Sequence, residues 1–465
     1  MVLIMKKELK IFLTFFLVYI LFAQSYGWSE VTRLDLIMAV VDDGSFSIDS
    51  FYQNTGDRAV INESYYADKA PGLSFLALPV YTVFKHLFGR PVVGNWLYAP
   101  FSQSYAFLMF LCVIFTSAFF GALSVVLVYK ITGFFPAKEI HRNIVFLTYG
   151  LGSLVFVYSR IFQSHVLSAF LGVLCFYLLL KMKYEKQSKD YSFVIGLLAG
   201  FAVMVDYVMI LFLVLLFVLL FFYFKDWKKS LKFIFGSLIF IILILLYNFS
   251  ITGSLFDSPY FHMDTSFWDK GGGVTQQFNP VVSSIPFVFM RVLFFPYRGL
   301  FFYYPVLLFS VIGLFFMFKK YKFETMFIFF LSLGFVLYNS IMHTWWGGYC
   351  FGPRHLTPLM PFLMIPLLFS LKKIKLRYIM PFIIISIFFN LLSLQLPEEA
   401  GLGKTVDNLV PFGNPLFEHY LPLTLSQGPQ SLLLEQVLNV QIIPWFNVAT
   451  LLLIVYFIWR RELHK

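Results

Sequence analysis

Y-V-M-I-L-F-L-V-L-L-F-V-L-L-F-F-Y-F-K-D-W-K-K (Tyr207 to Lys229) decides the fold. Residues 207–224 contain no charge, long enough as a helix to cross a hydrocarbon core of about 30 Å. A cluster of lysines then ends the run abruptly. Comparable apolar runs recur on both sides, near 11–26, 105–129, 143–158, 166–180, 191–205, 230–250, 299–318, 325–341, 356–371, 378–394 and 443–459. Together they predict an all-α polytopic membrane protein with about 12 transmembrane helices, forming a single integral membrane domain over 1–465.

The composition agrees with this reading. Of 465 residues 59% are hydrophobic and only 13% charged, where soluble proteins carry roughly a quarter. The first run follows Lys6 and Lys7 and ends near Ala23-Gln24-Ser25, a pattern that also suits a signal peptide. Eleven further runs favour a retained helix. Cys112 and Cys175 fall inside apolar runs and Cys350 in a loop, so no disulfide framework is expected.

The net charge of +11 has its source in topology. With a cytoplasmic N-terminus, the inner segments hold 24 of the 35 basic residues and the outer segments 17 of the 24 acidic residues. This is the positive-inside pattern, and nucleic acid is not needed to explain the charge. Both termini are then cytoplasmic in an inner-membrane, multi-pass protein. The outer segments, near 27–104, 251–298 and 395–442, carry most of the Gly, Pro, Asp and Trp, so the active site is expected on the outer face. Residues 73–88 contain Pro79 and Lys85 and read as an interfacial helix.

The first outer segment opens S-E-V-T-R-L-D-L-I-M-A-V-V-D-D-G (Ser29 to Gly44). Leu34, Ile37, Met38 and Val41 recur at helical spacing, which puts Glu30 at the start of an amphipathic helix, where the dipole favours a carboxylate. A capping acid is the plain reading and a catalytic base the sharper one. Asp42-Asp43-Gly44 reads as a turn. Next comes Y-Y-A-D-K-A-P-G (Tyr65 to Gly72), in which Lys69 is either a positioned cation for a lipid-linked phosphate or a snorkelling lysine paired with Asp68.

Outer basic residues are sparse. Arg33, Lys69, Arg160, Arg298 and Arg354 all sit where a span meets the outer surface. Arg160 and His165 belong to Y-S-R-I-F-Q-S-H, Arg298 to F-P-Y-R-G-L, and Arg354 ends W-W-G-G-Y-C-F-G-P-R. Guanidinium groups at one depth suit a phosphate, though outer carboxylates are also available to pair with each. In the last motif Trp345, Trp346 and Tyr349 offer flat faces for sugar rings, and three glycines permit unusual backbone angles. There is no phosphate-loop or dinucleotide motif. His165, His262, His343 and His355 lack metal-ligand spacing. No metal and no cofactor is expected.

The order of these features resembles that of the GT-C superfamily of polyprenyl-phosphate-sugar glycosyltransferases. The likeness is nearer to the protein O-mannosyltransferase and lipid A aminoarabinose transferase branch. One helix is followed by an outer segment with an acid three residues before an arginine (S-E-V-T-R-L), then by D-K-A-P-G, then by many helices. That branch typically reads P-D-E-A-R-Y and E-K-P-P at these places. The acid here is Glu30, and Val31 stands where the family has a second acid. The resemblance implies a catalytic role for Glu30, a phosphate-facing role for Lys69, a polyprenyl-phosphate sugar donor, and a glycan, lipid or protein acceptor at the bilayer surface. A single base with direct displacement implies inversion at the anomeric carbon. The competing class is a transporter or flippase of a lipid-linked saccharide, which predicts charged residues near mid-membrane and a second motif-rich cluster on the inner face.

Overall fold

The computed structural model describes residues 6–24, 27–92, 102–264, 285–342, 345–348, 350–394, 413–429, 431–433, 437–439 and 444–463. Every apolar run named above forms helix. Among the described residues five helices are long and apolar enough to cross a membrane: Gln103–Thr132, Ser164–Tyr184, Trp227–Thr252, Lys322–Ile341 and Arg354–Leu371, the last opening with a 3₁₀ turn. The chain is an integral, multi-pass protein. The expected twelve spans are not all of crossing length, because several runs are interrupted. Gly152 and Ser153 separate Glu139–Leu151 from Leu154–Tyr158, and Tyr304-Pro305 separates Leu300–Tyr303 from Leu307–Phe318. Ser192–Val205, Met209–Phe224 and Leu376–Leu391 are apolar helices of 14 to 16 residues.

Glycine sets a close helix contact. Gly196 and Gly200 face the backbone of Trp227–Thr252, and a Cβ on Gly196 would lie 2.0 Å from the Phe233 carbonyl oxygen. With no Cβ in the way the two helices meet backbone to backbone, a common device where lipid supplies no hydrophobic drive. At the lysine-rich end, buried Glu324 ties two helices together by accepting from Lys183 Nζ at 3.1 Å and from Tyr184.

The first outer segment holds more than helix. Strand β1 (Arg58–Ile61) pairs antiparallel with β2 (Ser64–Ala67). Their turn, Asn62-Glu63, has φ of 50° and 67° at its two residues, the left-handed pair a two-residue hairpin needs. Its second residue is not the usual glycine, so the sequence does not announce it. The helix Trp28–Met38 is enclosed on all sides, with Ser29 to Met38 all buried. Chain segment 54–57 folds over it: Thr55 Oγ1 donates to the Trp28 carbonyl at 3.0 Å and Asn54 Nδ2 to Asp35 Oδ1 at 3.1 Å. The helix Gly72–Phe88 follows, leaving Val83, Leu87 and Phe88 exposed. Within the described residues Ile285–Phe294 is a further apolar helix inside the expected outer segment 251–298. Much of the expected segment 395–442 lies outside the described residues.

Candidate functional site

Glu30 occupies the third position of its helix and does what a capping acid does. Its Oε2 accepts from Gly27 N at 2.8 Å, the acid's half of a capping box, since Gly27 has no side chain to return a bond. The carboxylate is 3% exposed, and its Oε1 accepts from Gln163 Nε2. Arg33, three residues on, lies on the same helix face. Its Nη1 donates to the Ser29 carbonyl and to Ser29 Oγ at 2.8 Å, and its Nη2 approaches Ser164 Oγ at 3.4 Å. The buried Arg33 Nε has no partner. Charge interactions link Arg33 to Glu30, Asp68, Arg354 and Asp206.

The D-K-A-P-G stretch lies against this pair. Lys69 Nζ is 2.6 Å from Asp68 Oδ2 and 3.0 Å from Asp57 Oδ2. The expected pairing with Asp68 is therefore present, joined by a second acid that sequence reading did not single out. Burial alone would push the Lys69 ammonium below its ordinary value. Asp57 and Asp68 more than offset this and hold it above that value. Burial pushes Asp68 up, against the pull of Lys69. Gly72 sets the distance: a Cβ there would stand 2.7 Å from the carbonyl carbon and oxygen of Met204 and from Val205 N. Met204 and Val205 end the helix Ser192–Val205 immediately before Asp206, so this close approach carries Asp68 and Lys69 toward Asp206.

The opposite wall is the start of Ser164–Tyr184. Three successive residues each meet a different charge: Gln163 holds Glu30, Ser164 meets Arg33, and His165 Nδ1 is 3.2 Å from Asp206 Oδ2. The His165 ring is packed edge-on between Tyr158 and His355, with centroids at 5.6 and 5.7 Å. Arg354 completes the group. It interacts with Asp57, Glu30 and Tyr158, yet its side chain makes no hydrogen bond among the described residues, and its Nε is buried without a partner. Of the three glycines in the W-W-G-G-Y-C-F-G-P-R motif, Gly347 lies against Arg354: a Cβ there would be 3.0 Å from Arg354 Cγ.

Six of the sequence-derived residues therefore meet: Glu30, Arg33, Asp68, Lys69, His165 and Arg354. Asp57, Gln163, Asp206 and His355 join them. Two arginines are engaged elsewhere. Arg160 is fully buried and donates to the Phe156, Phe22 and Ser393 carbonyls and to Ser393 Oγ. Arg298, also fully buried, donates to the carbonyls of Tyr297, Trp346 and Gly348. Both guanidinium groups satisfy backbone acceptors at chain turns instead of pairing with outer acids. Trp345 packs edge-on against Tyr297 at 6.0 Å and against Trp346 at 6.0 Å. Tyr349 and His343 lie outside the described residues. No group of three or more His, Cys, Asp or Glu side chains among the described residues is arranged to hold a metal ion.

No protein-family profile matches the sequence, and no curated protein matches it. Among solved structures the chain is similar to the crystal structure of ArnT from Cupriavidus metallidurans bound to undecaprenyl phosphate, at 13% identity and a TM-score of 0.47, covering 93% of this chain and 76% of that one. It is similar also to the apo crystal structure of the same ArnT, at 12% identity and a TM-score of 0.46, covering 92% and 75%.

Proposed function

We propose that this cluster is the active site of a membrane glycosyltransferase that moves a sugar from a polyprenyl-phosphate donor to an acceptor hydroxyl of a glycan, lipid or protein on the outer face. The observation that carries the reading is the meeting of buried Arg33 and the partly buried Lys69 and Arg354 with Glu30, drawn from separate stretches of a chain with few charges. Two of these cations keep N–H donors unused, as an anion site requires.

The donor's phosphate lies against Arg354 and Arg33, with Lys69 held charged behind them by Asp57 and Asp68. Glu30 takes the proton as the acceptor O–H bond breaks and the new bond to the anomeric carbon forms. The bond from that carbon to the phosphate oxygen breaks on the opposite face, and its electron pair leaves with the polyprenyl phosphate, inverting the centre. The growing phosphate charge is stabilised by cations already in place in a poorly hydrated site. Arg160 and Arg298 have no part in this scheme, since each is fully buried and held by other contacts, chiefly backbone carbonyls.

The test is transfer by purified protein in bilayers, offered a panel of radiolabelled polyprenyl-phosphate sugars. Wild type moves label from lipid to acceptor. Glu30→Gln keeps the cap, because Gln serves equally well in a capping box, and lowers turnover by about 10²–10⁴-fold while donor binding persists. Absence of transfer from every donor overturns the function, and unchanged turnover in Glu30→Gln removes Glu30 as base.

A further inference from the structure

Gln163 lies in the Y-S-R-I-F-Q-S-H stretch between Arg160 and His165, and its side chain has one half in use and one half idle. The residue is 5% exposed and precedes the helix Ser164–Tyr184. Its amide meets Glu30 Oε1, and a carboxylate only accepts, so the NH₂ group must face Glu30. The amide oxygen is thereby turned away from the carboxylate. That Oε1 is buried and has no hydrogen-bond partner, an expensive state for a polar atom unless something fills it.

What fills it must donate. A phosphate oxygen or a carboxylate would be repelled by an amide oxygen, whereas a hydroxyl fits. The next residue, Ser164, stands beside Arg33, where the donor phosphate is placed, and the group attached to that phosphate is the sugar. We propose that Gln163 is a substrate-binding residue whose Oε1 accepts a hydrogen bond from one hydroxyl of the transferred sugar while its Nε2 holds Glu30. One amide would then fix the sugar and the carboxylate relative to each other. A site built around a hydroxyl discriminates strongly against an analogue lacking it, because the buried acceptor is left unpaired.

This inference rests on the glycosyl-transfer reading, and the experiment separates the two. The probes are the polyprenyl-phosphate hexose that wild type transfers best and each of its monodeoxy analogues. Wild type should use one of these analogues about 10–100-fold less efficiently in kcat/KM than the parent. Gln163→Met, of similar length and without polar atoms, should use the parent and that analogue equally. If Gln163→Met slows all donors by one common factor, the amide only supports Glu30 or holds an ordered water, and the inference is overturned. If wild type discriminates against none of the analogues, it is overturned as well. A wild type that transfers no sugar from any donor in the panel defeats the parent reading first, and one that prefers a pentose is tested with the monodeoxy analogues of that pentose.

Discussion

Asp35 sits five residues beyond Glu30 on the same helix and has a different problem. It is completely buried, its Oδ1 accepts from Asn54 and its Oδ2 has no partner. Burial pushes its carboxyl well above the ordinary value, with the Asn54 hydrogen bond pulling weakly the other way. The folded chain therefore binds this proton more tightly than the unfolded chain. The associated stability is full below the unfolded value near about 3.9 and is lost as pH rises through the raised folded value. Asp35→Asn keeps the bond from Asn54 and removes the titration. Its thermal midpoint should exceed that of wild type at about pH 8, by the equivalent of roughly 1–3 kcal/mol, with the gap closing toward about pH 4. A gap independent of pH would show that Asp35 binds its proton equally well in the folded and unfolded chains. The same scale shows where sequence reading stops. Outer arginines can be flagged as out of place, but whether one meets a phosphate or, like Arg160, a carbonyl of Ser393 far along the chain depends on contacts that local pattern does not encode. Gln163 carries no signal of its own for the same reason: it acquires its meaning from Glu30, a partner distant in sequence.

Among the elements, the helices were legible because a run of apolar side chains with no charge has few other ways to satisfy its backbone in lipid. Their lengths were not, since Gly152 and Pro305 break helices that hydropathy alone runs together. The asparagine turn of the β1–β2 hairpin and the folding of segment 54–57 over Trp28–Met38 were equally hidden. Gly72 illustrates the point with a consequence for activity. In D-K-A-P-G it looks like an ordinary helix start, whereas in the structure it is the only residue type that lets the Lys69 stretch lie on the Met204 backbone. Gly72→Val should force these segments apart and lower transfer by about 10–100-fold, by the overpacking strain of a crowded contact. Gly44→Ala, at an open turn where a Cβ meets nothing within 4 Å, serves as a comparison and should retain most activity despite its φ of 63°. Equal activity of Gly72→Val and wild type in the donor assay would show that the contact does not position the site.

For the whole molecule, the distribution of charge gives an orientation that can be measured directly. All three cysteines are buried, so single cysteines introduced on exposed loops report against a low background. Ser50→Cys should react with a membrane-impermeant maleimide added to intact cells. Lys189→Cys, in a lysine-rich loop, should react only after permeabilisation. The reverse pattern would place the Glu30 cluster on the cytoplasmic side and exclude an outer-face acceptor. The charge bias was readable from composition alone, and the outer location expected from it is what this labelling tests. The identity of the pocket's members was readable only in part, since that depends on how the helices pack.

The contact at Gly72 also has a temporal side. Lys69 emerges early in synthesis, but the surface it rests on, at Met204 and Val205, is made only after several further helices have entered the bilayer. Until then the aspartates and lysine of the first outer segment have nothing to lean against. The pocket is completed late, when helices separated by much of the chain close on one another, so a truncated or stalled product would carry the early motif intact and still be unable to hold a substrate.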